Sequence, residues 1–211
     1  MPPEEALDLA LVLAIDTSGS VSNERLAMQI GGYVQAFQEP DLVRAIQAGQ
    51  HKKIVATFVM WGEYERQFQS VPWTIVFDQA SAAGFADLVA HALGPTPGWT
   101  SISGAIRFSV HLLQTLNMPA DRRVIDISGD GVNNDGPPPG QARDAAVAAG
   151  ITINGLPILE VEPELDRYYR SEVIGGPHAF LKVARNRDSF SAAVLQKLLV
   201  EVAGGEAQSK T

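Results

Sequence analysis

Three short stretches of this sequence bring together carboxylates and hydroxyls. Asp16-Thr17-Ser18-Gly19-Ser20 carries one carboxylate and, two residues apart, the hydroxyls of Ser18 and Ser20, which can face the same way in an extended turn. Trp99-Thr100-Ser101 adds further hydroxyls, and Gly129-Asp130-Gly131 holds a second carboxylate between glycines that let the backbone turn without steric cost. Asp16, Ser18, Ser20, Thr100 and Asp130 are all hard oxygen donors. Such a set suits Mg2+, with Mn2+ or Ca2+ as alternatives, rather than zinc or copper. Each residue also has a plainer use. Asp and Ser cap helices, Thr100 or Ser101 can open the helix that follows, and an Asp between glycines is an ordinary turn residue. The chemistry depends on whether the surrounding elements carry the three stretches to one place.

The periodicity predicts that they do. Leu9 to Ile15 is almost wholly apolar, as a strand covered on both faces must be, and Asp16 follows it directly. A helix over Asn23 to Gln38, capped by Ser22 or Asn23, buries Leu26, Ile30, Tyr33, Val34 and Phe37 at helical spacing. A shorter helix is expected over Asp41 to Ala48, and a second apolar strand over Ile54 to Trp61. The turn Gly62-Glu63 leads into alternating residues from Tyr64 to Val71, the pattern of an antiparallel edge strand. Amphipathic helices follow at Ser81 to Leu93 and Ser103 to Leu116, separated by the Gly/Pro-rich loop 94–100. Val124 to Ser128 is a strand that delivers Asp130. The loop from Asn133 to Gly140 holds three successive prolines, which exclude helix and central strand. Beyond it come a helix at Ala142 to Ala149, a strand at Ile151 to Ile158, a helix at Glu164 to Val173, a strand at Ala179 to Ala184 and a helix at Ser189 to Val202. The expectation is one α/β domain over residues 8–203 with a polar tail at 204–211. Its core is a doubly wound, mainly parallel six-stranded sheet with one antiparallel edge strand and helices on both faces. In such sheets ligands sit beyond the C-terminal ends of the strands, where all three stretches fall.

Composition narrows the partners. Of 211 residues, 45% are hydrophobic and 19% charged, enough apolar material for a core and too little charge for a disordered chain. A net charge of −8 argues against nucleic acid or an anionic membrane surface, both of which need a basic face. No cysteine is present, which removes disulfides and thiolate metal sites. The acidic start Pro-Pro-Glu-Glu is not that of a secretory signal, and no run is long enough to span a bilayer. The compartment is therefore cytoplasmic, or periplasmic or secreted if a leader has been removed; composition leaves the oligomeric state open.

Asp16-x-Ser18-x-Ser20 after an apolar first strand resembles the metal-ion-dependent adhesion site of von Willebrand factor type A domains. Thr100 in Gly98-Trp99-Thr100-Ser101 matches that family's threonine, and Asp130 in Ser128-Gly129-Asp130-Gly131 its aspartate. The order of elements fits over nearly all of residues 8–203. The resemblance implies a Rossmann-like fold in which the five residues hold a divalent metal with one position open, filled by an Asp or Glu of a protein partner in adhesion or assembly, without catalysis. Two departures stand out. Gly-Trp-Thr replaces the family's frequent Gly-Gly-Thr, and Asn133-Asn134-Asp135-Gly136 with its prolines is more like poorly characterised bacterial members than integrins or collagen-binding domains.

Two other functions compete. A Mg2+-dependent phosphoryl transferase with Asp16 as nucleophile is sound chemistry, but it wants a second acid two residues on, where Ser18 stands, and a nearby lysine. A scaffold with no metal in the site is the third reading. A serine hydrolase is disfavoured, since there is no Gly-x-Ser-x-Gly elbow and no histidine in the three stretches. The four histidines show no metal-ligand spacing in the sequence. Asp126, inside a strand, needs a buried partner that the sequence does not name.

Overall fold

The computed structural model describes residues 6–19, 21–94 and 98–204. Ser20, the acidic start, Pro95-Thr96-Pro97 and all but the first residue of the expected polar tail lie outside them. The elements are β1 (Leu9–Asp16), α1 (Asn23–Gln38), α2 (Pro40–Gln47), β2 (Ile54–Trp61), β3 (Gln67–Val76), α3 (Gln79–Ala90), α4 (Ile102–Thr115), β4 (Arg123–Gly129), α5 (Pro139–Ala148), β5 (Thr152–Pro157), α6 (Leu165–Tyr168) running into a π turn at Tyr169–Val173, and α7 (Arg187–Val202). The sheet order is β3-β2-β1-β4-β5, parallel throughout except for β3, which runs antiparallel to β2.

Every residue of β1 and β2 is buried, as strands with helices on both faces require. Alternation along β1 assigns the two faces. Leu9, Leu11, Leu13 and Ile15 pack with Tyr33, Phe37, Phe58, Phe85 and Leu198 beneath α1, α3 and α7, whereas Ala10, Val12 and Ala14 join Ile102, Ile106, Leu113 and Ile153 beneath α4 and α5. Each fully buried Leu or Ile contributes about 1.5–3 kcal/mol. Large residues on one face and small ones on the other set α4 close to β1, which brings the start of α4 to the end of β1.

Three local expectations change. The chain reverses over 62–66, where the Arg66 amide donates to the Glu63 carbonyl and the Gly62 amide to the Arg66 carbonyl, so Tyr64 sits in the turn and the edge strand begins at Gln67. The proline run does enter a helix: Pro139 opens α5, because the first helical residue needs no amide donor. Among the described residues the sheet has five strands, not six. Residues 180–184 run along β5, with bonds from Gly155 to Phe180, Lys182 to Gly155, Ala184 to Pro157 and Leu159 to Ala184, but only isolated bridges form at Leu181 and Ala184. The missing rung falls at Pro157, which has no amide hydrogen to donate.

Asp126 of β4 finds its partner on α7. Lys197 Nζ lies 2.6 Å from Asp126 Oδ1 and 2.5 Å from Glu201 Oε1, with all three side chains sealed from solvent. The Asn154 amide also donates to Glu201. Burial raises the Asp126 pKa, with Lys197 pulling against it and Glu201 adding to it. Removing the shared cation strands two buried carboxylates. Lys197→Met is therefore expected to lower stability by about 3–5 kcal/mol in urea melts, and Asp126→Asn in the same background to recover part of that loss.

Candidate functional site

Asp16 is the last residue of β1 and fully buried. The Ser18 amide donates to its Oδ1 at 2.7 Å, closing a tight turn, while Oδ2 has no hydrogen-bond partner among the described residues. Thr100 Oγ1 donates to Ser18 Oγ at 3.0 Å across 82 residues of chain. The structure separates the two uses expected of residues 100 and 101: Ser101 caps α4 by accepting from the Gly104 amide, which leaves the Thr100 hydroxyl turned to Ser18. Asp130 follows β4 at 2% exposure, close enough for its charge to act on Asp16. Asp16, Ser18, Thr100 and Asp130 thus share one end of the sheet. The fifth expected residue, Ser20, lies outside the described residues.

Backbone contacts fix the loops to one another. Thr17 donates through both its amide and its hydroxyl to the Trp61 carbonyl at the end of β2, the Gly19 amide to Gly98 at 2.7 Å, and the Ser101 amide to Gly62 at 2.8 Å. Gly129 is required where it stands. A Cβ there would lie 3.1 Å from Asp16 Oδ2 and 2.9 Å from the Tyr169 hydroxyl, so a side chain would force both groups to shift.

The electrostatics follow from burial. Loss of solvent pushes the Asp16 carboxyl up to about 7; hydrogen bonds from Ser18 hold it back, and the neighbouring charge of Asp130 adds to the rise. The Tyr169 hydroxyl, also buried and without a hydrogen-bond partner among the described residues, is pushed well above its ordinary value by burial and then by Asp16 and Asp130, so it stays protonated. Its place in the π turn puts an irregular stretch of helix beside the site. A cation is present as well: Arg25 Nη1 lies 3.4 Å from Asp130 Oδ2, and Arg25 Nε 3.6 Å from Glu160 Oε2.

Several of these residues are absent from the sequence reading. Arg25, Glu160 and Tyr169 carry no motif; a basic residue in the first turn of α1, against the helix dipole, was the one available signal for Arg25. The Asn133-Asn134-Asp135 stretch stood out as distinctive, and its role is a clamp. Asn134 Oδ1 accepts from the Thr100 amide at 2.8 Å, and the Asn134 amide returns to the Thr100 carbonyl. Asn133 Oδ1 accepts from Ser103, and Asp135 Oδ2 from Tyr64. Trp99, where the family often has glycine, is 63% exposed at the rim.

A second cluster sits at the opposite edge, before β1, β2 and β4. Asp8, His51 and Asp121 each present one ligand atom within 4.8 Å of the others, a grouping that histidine spacing along the chain did not reveal. The Asp8 carboxylate there accepts from the His51 and Lys53 amides, and His51 pairs with Asp121, so the cluster braces the turn into β2.

The family model described as "Protein of unknown function (DUF1194)" matches residues 6–206. The chain belongs to the DUF1194 family. None of the curated proteins matches it. Its fold is that of von Willebrand factor type A domains. It is similar, at TM-score 0.65 and 16% identity, to a von Willebrand factor type A protein from Catenulispora acidiphila, covering 95% of this chain and 43% of that one. Proximal thread matrix protein 1 of the mussel byssus, in a structure whose adhesion-site motif is occupied by zinc, matches at TM-score 0.58 and 13% identity over 94% and 47%. The von Willebrand domain of the type V pilus tip protein Mfa5 from Porphyromonas gingivalis matches at 0.62 and 11% over 93% and 97%. This DUF1194 chain therefore spans less than half of the first two and nearly all of the third.

The raised Asp16 pKa has a consequence for the metal-free protein. Folding disfavours the ionised form, so the group's stabilising contribution is intact below its unfolded pKa, near 3.8, and is lost as pH rises to about 7. Thermal melts in chelator are expected to show falling stability across that window. Asp16→Asn should flatten part of the fall, leaving the share due to Asp126, which is raised in the same sense.

Proposed function

We propose that this DUF1194 protein is a metal-dependent binding module. Asp16, Ser18, Ser20, Thr100 and Asp130 would hold one divalent cation, Mg2+ or else Mn2+ or Ca2+, within the unit formed by residues 8–203. The observation that carries the reading is the buried Asp16 carboxylate, whose Oδ2 has no hydrogen-bond partner among the described residues, beside the Ser18–Thr100 hydroxyl pair and a second buried carboxylate. A buried carboxylate of this kind is costly unless a cation or donor meets it. All the donors are hard oxygens, which fits these ions. A cation bound there would supply an open coordination position for the Asp or Glu of a protein partner.

The chain's own residues do the rest. Ser18 and the clamp of Asn134 on Thr100 hold the donors in place, and the Asp16 carboxyl must shed its proton to act as a ligand. Trp99, Val132 and Val161, each within two residues of Thr100, Asp130 or Glu160 in the chain, are exposed apolar side chains. Exposed aromatic side chains such as that of Trp99 are enriched in protein-binding patches. An apolar groove of about 700 Å3 lies between α4 and α5, lined in part by Tyr64, Phe108, Pro137, Pro138 and Ala142. Among the described residues no helix is long and apolar enough to cross a membrane.

Calorimetric titration of the chelator-stripped chain with Mg2+, Mn2+ and Ca2+ tests this reading. Binding at one site is expected. Asp16→Ala should weaken it by more than about a hundredfold and Asn134→Ala by about tenfold, the scale of a ligand and of the residue that orients one. Metal-dependent turnover of a phosphoester that disappears in Asp16→Asn would instead favour a transferase, and absence of binding by the folded wild type would leave a scaffold.

A further inference from the structure

Arg25 occupies an electrostatically awkward place. It is the third residue of α1, where the unpaired amides of the helix start present partial positive charge and a cation is disfavoured. Its side chain is nevertheless drawn in to 21% exposure and bridges two carboxylates from different loops, Nη1 toward Asp130 and Nε toward Glu160. Asp130 is 2% exposed and belongs to the proposed metal site; Glu160, in the loop after β5, is more open at 31%. One guanidinium is thus shared between a carboxylate needed for metal and one that is not.

Resting on the metal-binding reading above, we propose that Arg25 is a built-in counter-cation that opposes metal at Asp130, with Glu160 as the group that retains it when metal binds. Without metal, Arg25 offsets the charge of Asp130. A divalent ion arriving there meets a like charge and must shift it or bind against it. Glu160 lowers the cost of that shift, because the guanidinium keeps one ion pair while giving up the other. Arg25 and Glu160 would then set how much metal the site requires, without being ligands themselves.

The test is Mn2+ titration of the full, chelator-stripped chain, followed by paramagnetic resonance of free Mn2+ and by calorimetry, with folding checked by thermal melts. Arg25→Gln is expected to tighten Mn2+ about tenfold, the scale of one charge acting on a divalent ion across a few ångströms of hydrated protein. Arg25→Lys, which keeps the charge, should stay near wild type, and so separates electrostatics from a merely structural brace. Glu160→Gln should weaken Mn2+ several-fold in the wild-type background and much less in Arg25→Gln, since its effect passes through Arg25. If the wild type binds Mn2+ and Arg25→Gln binds it equally or more weakly, the role of Arg25 falls while the metal reading stands. If the folded wild type does not bind Mn2+, the metal reading itself falls and this inference with it.

Discussion

A carboxylate at the end of a strand buried on both faces has nowhere to put its charge, and the site loops are arranged around that fact. Asp16 ends β1 in the middle of the sheet, flanked by β2 and β4, and is fully buried. The Ser18 amide satisfies one oxygen, and the other lies where a Cβ on residue 129 would come within 3.1 Å of it. The loops around it donate backbone amides to each other's carbonyls and leave the side-chain oxygens turned inward. Solvation of Asp16 is thus withheld by the fold itself.

The same theme recurs on the other face of the sheet. Asp126, Lys197 and Glu201 form a second buried charge cluster, which ties β4 to α7. Near the Asp16 end, Gln29 of α1 donates to the Asp16 carbonyl, and Ser128 of β4 donates to Gln29. Such groups cost more to bury than apolar ones, and where they are mutually satisfied they favour one arrangement of the core over its near alternatives. Helices α1 and α7 are therefore placed by directional bonds as well as by packing.

Much of this was legible in the sequence, for definite reasons. The almost wholly apolar runs of β1 and β2 read as central strands, and the boundaries of α1 follow from Ser22 and its periodic face; both agree with the structure to the residue at most ends. Asp16, Ser18, Thr100 and Asp130 were readable because their spacing follows strand ends, which chain order preserves. What escaped was whatever depends on geometry without a periodic signature. A lysine that pairs with Asp126 from 71 residues away, a tyrosine in a π turn, and an arginine reaching across to two loops leave no pattern. The strand predicted over Ala179 to Ala184 forms only isolated bridges beside β5, because Pro157 in its neighbour has no amide hydrogen with which to complete the ladder.

That proline has a wider consequence. The outer margin of β5 is lined by residues 180–184 and lacks a donor at Pro157, and the long β3 on the other margin carries Pro72 and a shift in register opposite Ala56 to Val59. Both borders are poor templates for strand addition, the common route by which an exposed sheet recruits another chain. Association through the sheet flanks is thereby disfavoured.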